Sequence, residues 1–132
     1  MAISYRLVPE HSAVLMNASG AISLKDVMGY LSSLEADPCV PENHVTLFDA
    51  SEVTEAEFSP SDIEKAIFKI RSLPPKIVAR KLAIITRGIK ETNLAHQYET
   101  LATSLNMNII IFYHHDLACQ WLGIPEDTLK SQ

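Results

Sequence analysis

His44-Val-Thr-Leu-Phe-Asp-Ala-Ser-Glu-Val53, followed by Ser59-Pro-Ser-Asp62, is the stretch that decides the fold of this chain. Its apolar run, residues 45–48, predicts a short strand that lies centrally in a sheet, and the run ends in an acid at Asp49. The serine and proline that open the second stretch, with the aspartate that closes it, predict a helix start. A strand that leads through a loop into a helix is a unit of an α/β fold. Open α/β sheets usually hold ligands at the carboxyl ends of such strands.

Strand and helix patterns continue on both sides of this unit. A short connection favours an N-terminal antiparallel hairpin, whereas the helices between the later strands require parallel crossovers. The predicted order is β-β-α-β-α-β-α-β-α: an α/β fold with a five-stranded mixed sheet and about four helices. The further elements are predicted as strands at Ile3–Pro9, Ala13–Ala18 (ended by Gly20), Lys81–Thr86 and Asn108–Tyr113, and as helices opened by Ser23 with Asp26, from about Glu91 to Leu105, and from Asp116 to Leu122 with Gly123 at its end.

Length and composition indicate one globular domain that spans residues 1–132. A chain of 132 residues can bury a core without disulfides. Apolar residues make up 47% and charged residues 20%, which excludes a disordered chain. We expect residues 124–132 to form a frayed tail.

Charge and cysteine content restrict the partners and the compartment. A net charge of −5 disfavours nucleic acid and anionic lipid surfaces as primary partners. No apolar run approaches the ~18 residues that a transmembrane helix needs, and the first residues do not resemble a secretory signal. Cys39 and Cys119 are far apart and in no metal-like spacing, so we expect free thiols in a cytosolic protein.

Several short segments occur in an informative order along nearly the whole chain. They are Gly20 ahead of a helix, Asp37-Pro38, Leu47-Phe-Asp49 with Val53, Lys81-Leu-Ala-Ile-Ile85, Tyr98-Glu-Thr100, and Phe112 ahead of Ala118-Cys-Gln-Trp-Leu122. Together they resemble the SpoIIAA-like fold, which includes the STAS domains of anti-anti-sigma factors and a group of small bacterial proteins. The closing segments are similar to the uncharacterised branch of that group rather than to the anti-anti-sigma branch.

The resemblance also bears on phosphorylation. In phosphorylatable STAS domains an Asp-x-x-x-Val pattern precedes Asp-Ser-Ser-Gly, whose first serine takes the phosphate. Asp49 and Val53 match the opening of that pattern, but Phe58 stands where the modified serine would be. The phosphoswitch therefore does not carry over at this position. Ser59 and Ser61 lie at a helix start that favours phosphate electrostatically, although we favour capping as their role.

Three groups of polar residues are candidates for a site. Asp49 and Ser51 could form the lip of a ligand cleft, or a turn in which the aspartate accepts backbone N–H groups. Arg87, between a strand and a helix, could contribute to an anion site. We interpret His114-His115-Asp116 as a capped helix start rather than a metal site, because adjacent residues in an extended segment point to opposite sides.

No nucleophile elbow, P-loop or paired metal motif is present. The sequence therefore predicts a non-enzymatic binding or regulatory module without metal or cofactor. Its partner would be a protein or a small apolar or amphipathic ligand near the helix that follows Asp49. The alternative is an enzyme that uses Asp49, Ser51 and Arg87 at the strand ends, with His96 as a further candidate. A homodimer through the hairpin edge, or through Tyr113 and Trp121, is a third hypothesis. The candidate binding residues are Asp49, Ser51, Phe58, Ser59, Ser61 and Arg87.

Overall fold

A mixed sheet of five strands forms the centre of the molecule. The computed structural model describes residues 2–75, 78–87, 95–97, 99–100 and 107–129. The spatial order of the strands equals their chain order; β1 pairs antiparallel with β2, and all later pairs are parallel. This confirms the α/β prediction. The strands are β1 (Ile3–Val8), β2 (Ala13–Ser23), β3 (Val45–Glu57), β4 (Lys81–Ile85) and β5 (Asn108–Phe112).

Helices connect and cover the strands. They are α1 (Leu24–Ala36), α2 (Pro60–Ser72) and α3 (His115–Leu122), with short 3-10 turns at Pro9–His11 and Glu126–Leu129. Residues 95–97 and 99–100 are also helical, and the rest of the helix predicted from about Glu91 to Leu105 lies outside the described residues. No helix of the described ranges is long and apolar enough to cross a bilayer.

The two faces of the sheet bury separate cores. Strand side chains alternate between faces, so in β3 Leu47 packs on the face covered by α3, whereas Phe48 and Ala50 pack on the face covered by α1 and α2. Coverage on both faces explains why the parallel strands are almost continuously apolar.

The third strand is longer than predicted, and the prediction of a loop directly after Asp49 is wrong. β3 continues to Glu57 because it stays paired with β2 beyond the rest of the sheet, as a two-stranded ribbon. Asp49 pairs with Ile85, the last residue of β4, so it is level with the carboxyl edge of the shorter strands without ending its own. β2 likewise does not end at Gly20: it passes through that residue at a register shift, where the positive φ of 69° suits glycine.

Local sequence signals set the start of α2 as predicted. The Ser59 hydroxyl accepts the backbone N–H of Asp62 at 3.1 Å, and the Asp62 carboxylate accepts the backbone N–H of Ser59 at 3.1 Å. This reciprocal pair satisfies two of the donors that a helix start leaves without partners. At α1 the Asp26 carboxylate accepts the backbone N–H of Ser23 at 2.9 Å.

The predicted frayed tail is wrong for residues 124–129. Ile124 is buried beside Leu122 in the core on the α3 face, and Glu126–Leu129 forms a 3-10 turn. The Arg6 guanidinium donates to the backbone carbonyl of Thr128, which ties this segment to β1. Residues 130–132 lie outside the described ranges.

The cap of α2 gives a first prediction. Replacing Ser59 by alanine removes the side-chain acceptor and should lower the free energy of unfolding by about 1 kcal/mol. Urea denaturation measures this change. Ser61→Ala is the matched control, because Ser61 is exposed and makes no cap hydrogen bond; equal losses in both variants would contradict the assignment.

Candidate functional site

An apolar cavity of about 190 Å³ lies between the sheet and the helices α1 and α2. β2 and β3 supply its floor, α1 and α2 supply walls, and Phe58 lines it just ahead of α2. Of the described lining residues, all but three are apolar or aromatic. The described lining is Met16, Ile22, Val27, Tyr30, Leu31, Leu34, His44, Thr46, Phe48, Ala50, Val53, Ala56, Phe58, Ile63, Ala66, Ile70, Leu73, Val78, Ala79, Leu82, Ile84, Thr86, Ala95 and Met107.

Small side chains at buried positions account for the space. Ala50 and Ala56 on β3 and Ala66 on α2 all line the cavity, and all three are nearly fully buried. Larger residues at such positions would fill the gap between helix and sheet. The cavity is thus a property of side-chain size at buried positions.

Two of the three polar lining residues, His44 and Thr86, have interaction partners within the protein. His44, Thr46 and Thr86 are each at most 5% exposed. His44 Nδ1 lies 3.0 Å from the carbonyl oxygen of Pro41, so this nitrogen donates. No buried side-chain nitrogen or oxygen within the described ranges lacks a hydrogen-bond partner. A molecule in the cavity therefore meets mainly apolar surface.

A second, polar cluster lies on the opposite face of the sheet. The Asp49 carboxylate accepts the hydroxyl of Ser51 at 2.5 Å and its backbone N–H at 2.9 Å. The other carboxylate oxygen lies 2.7 Å from Nε2 of His115, the first residue of α3. Since a carboxylate only accepts, Nε2 donates. The cluster ties α3 to β3.

These contacts set the charge state of Asp49. Partial burial alone would raise the pKa of Asp49, but the hydrogen bonds from Ser51 and His115 outweigh it and hold the pKa below its ordinary value. Asp49 is therefore a carboxylate at neutral pH. The Asp49 carboxylate accepts the backbone N–H of Ser51, two residues ahead, as in an Asx turn. This is the kind of hydrogen bond that the turn interpretation of the Asp49–Ser51 pair predicts.

The predicted site residues fall into separate places. Asp49 and Ser51 belong to the polar cluster, whereas Phe58 lines the cavity on the other face. Ser59 and Ser61 are exposed at the start of α2, and Arg87 is exposed after β4. Among the described residues no hydrogen bond or ion pair joins Arg87 to the cluster, and His96 is exposed beside Glu99.

The role of His115 was missed in the sequence. The histidine is 66 residues from Asp49, and no local pattern links the two. His114 precedes α3 as predicted for a helix start, but its side chain makes no cap hydrogen bond.

Cys119 is a free thiol buried in the core on the α3 face. Burial, with the nearby charges of Glu126 and Asp116, raises the pKa of the Cys119 thiol to about 11, so it is protonated at neutral pH. No three His, Cys, Asp or Glu side chains of these residues are grouped as a metal ion would require.

Comparison with solved structures supports the fold. An uncharacterised protein of the DUF3478 family from Shewanella loihica PV-4, described as having a SpoIIAA-like fold, is 19% identical to this chain. The match covers 92% of this chain and 94% of that one, with a TM-score of 0.59. This chain therefore has a SpoIIAA-like fold, as its sequence segments indicated. No family model matches the chain, and a search of curated proteins finds no match.

The polar cluster predicts a pH-dependent contribution to stability. Because the pKa of Asp49 is lowered on folding, the stabilisation is present above the unfolded value of about 3.9 and is lost as the pH falls through the lower folded value. Asp49→Asn should cost about 2 kcal/mol at neutral pH. Urea midpoints at neutral and strongly acidic pH should show this difference shrinking in acid.

Glu52→Gln is the control for the loss of one negative charge, since Glu52 is exposed on the same strand. It should change stability by no more than about 0.5 kcal/mol. A loss in Asp49→Asn that stays constant into acid would show that the carboxylate is not its source.

Proposed function

We propose that this protein is a non-enzymatic binding module that holds a compact, uncharged apolar molecule between the sheet and the helices α1 and α2. The observation that carries the proposal is the apolar cavity of about 190 Å³. Most small-molecule sites are concave and mainly apolar with few polar groups, which is the composition of this lining. The proposed ligand site agrees with the sequence-based hypothesis of a small apolar ligand near the helix after Asp49.

The size of the cavity limits the ligand. A cavity of roughly 150 Å³ lined by aliphatic and aromatic side chains binds benzene. The present cavity is of similar scale, so it suits one or two fused rings or a short branched alkyl group. A long acyl chain exceeds this volume.

Energetics favour a role for the space. Unfilled space beside buried apolar side chains lowers stability, because the atoms that line it lose the contacts of a filled core. A bound apolar molecule restores the missing contacts and stabilises the folded state by mass action.

The polar cluster supports a structural role better than catalysis. The Ser51 hydroxyl donates to Asp49 and is not paired with His115, so the base and the hydroxyl of a nucleophilic site are not in contact. The cluster also lies on the face opposite to the cavity. We therefore place the function in the cavity, and we expect a bound molecule to be recovered chemically unchanged.

Ligand titration against a cavity-filling variant tests the proposal. Benzene and indole are the probes, octanoate is the charged comparison, and calorimetry and the thermal midpoint are the measurements. Ala66→Leu places three more carbons in the cavity and should weaken binding of both rings by roughly tenfold or more. Ala36→Leu is the matched control, because it adds the same atoms at an exposed helix end.

The expected outcome is that the rings raise the midpoint of the wild type and of Ala36→Leu, but not of Ala66→Leu. Octanoate should bind more weakly, since its carboxylate would lose its hydration in an apolar lining. No binding of either ring to the wild type, or equal binding to both variants, would overturn the proposal. Mass spectrometry showing conversion of a probe would replace it with an enzymatic one.

A further inference from the structure

The outer edge of β5 is an apolar strand without charge. β5 is the last strand of the sheet, and no strand in the described ranges pairs with its outer side. Its sequence, Asn108-Ile-Ile-Ile-Phe112, contains no charged residue or proline, and its pairing with β4 has no bulge. Natural edge strands usually carry a charged residue, a proline or a bulge, and these features prevent association with another strand.

The backbone hydrogen bonds show which groups this edge offers. The Asn108 N–H donates to Arg80 and the Phe112 carbonyl accepts from Thr86, so Asn108, Ile110 and Phe112 direct their main-chain groups toward β4. The main-chain N–H and carbonyl groups of Ile109 and Ile111 therefore point outward. Four hydrogen-bonding groups are thus presented in the spacing of a regular strand.

This pattern is self-complementary about Ile110. If a second β5 lies antiparallel with Ile110 opposite Ile110, each Ile109 faces the Ile111 of the other strand. Both members of these pairs carry outward N–H and carbonyl groups, so the two pairs exchange four hydrogen bonds. Ile110 then forms the non-hydrogen-bonded pair, in which side chains approach most closely.

Exposed apolar side chains continue this edge onto the α3 face. Of the four large exposed hydrophobic residues in the described ranges, three lie here: Ile110 (39%), Tyr113 (58%) and Leu117 (48%). Ile110 shares the face of Phe112, whose ring contacts Trp121 at 5.9 Å between centroids. Leu117 is one turn before Trp121 and so lies on the same side of α3.

Charge at the two ends of the strand favours an antiparallel second copy. Lys81 of β4 lies beside the start of the edge, since it pairs with Asn108, and its ammonium donates to the Trp121 carbonyl at 3.0 Å. The exposed Asp116 follows the end of the edge. An antiparallel partner brings its acidic end to the basic end of the first copy, twice. A parallel partner would align like charges.

The opposite edge of the sheet, formed by β1, differs from β5 because it carries a charged residue and side chains engaged in hydrogen bonds. β1 carries Arg6, which donates to Thr128, and Tyr5, whose hydroxyl donates to Asp37 at 2.8 Å. Charge and engaged side chains at this edge disfavour strand addition. The dimer predicted at the hairpin edge is therefore better placed at β5.

We propose that this protein forms a two-fold homodimer in which β5 pairs antiparallel with β5 of a second copy, with the axis at Ile110. The partner is this same chain, and the interface comprises the edge of β5 with Tyr113 and Leu117. The dimer joins two five-stranded sheets into one continuous sheet.

Sedimentation of the full chain, diluted from roughly 100 µM, tests the association. Ile110→Lys sets two ammonium groups opposite each other at the axis and should raise the dimer dissociation constant by roughly tenfold or more. Phe68→Lys is the matched control, because it makes the same change at an exposed residue of α2. A monomeric wild type, or a dimer unchanged by Ile110→Lys, would overturn the proposal.

Crosslinking tests the register without weakening the interface. In a Cys39→Ser background, which removes the exposed native thiol, Ile110→Cys should form an intermolecular disulfide because a non-hydrogen-bonded antiparallel pair has the required Cα separation. Phe68→Cys measures random collision between exposed thiols. Equal crosslinking of the two variants would contradict the β5 pairing, and selective crosslinking at Ile110 supports it even if Ile110→Lys does not fold.

Discussion

The parallel register of β3 between β2 and β4 is the constraint on which the remaining structure depends. Alternate side chains of β3 serve different cores: Leu47 packs under α3, whereas Phe48 and Ala50 face α1 and α2. Because side chains alternate with period two, a slip of one residue would exchange these two sets of side chains. It would also direct Asp49 into the face covered by α1 and α2, where the apolar cavity lies. The same register brings Asp49 level with Ile85 at the end of β4, where His115 can reach it. Cavity and polar cluster are thus two consequences of one pairing.

The two faces use this register differently. On the α3 face, Ala83, Ile85, Ala118 and Cys119 pack with almost no exposure, and a charged hydrogen bond ties the helix to the sheet. On the other face, alanines at Ala50, Ala56 and Ala66 leave space between sheet and helix. A closely packed face can hold the sheet in place while the other carries the cost of a cavity. This division leaves the face covered by α1 and α2 to the proposed ligand site.

Features encoded by neighbouring residues could be predicted from the sequence, and features that need distant residues could not. The cap at Ser59 and Asp62 spans three residues, and the alternation of the parallel strands is equally local. The extension of β3 was missed because Glu52, Thr54 and Glu55 have the polarity of a loop; they remain exposed because β4 and β5 end before them. His115 and Asp49 approach only through the fold. Phe58 lacks the hydroxyl of a phosphorylatable serine, and its apolar ring forms part of the cavity wall. The cavity itself depends on side-chain volumes from two strands and two helices, which no periodicity reports.

The proposed dimer and the proposed ligand site place compatible demands on the molecule. When Ile110 lies opposite Ile110, both side chains project from the same face, so the two-fold axis is perpendicular to the sheet. Both copies of α3 then lie on one side of the continuous sheet and both cavities on the other. Ile109 shares the cavity face and packs against Ile63 and Ile67 of α2, the helix that also forms a cavity wall. Pairing at β5 therefore supports the strand beneath α2 without covering the cavity.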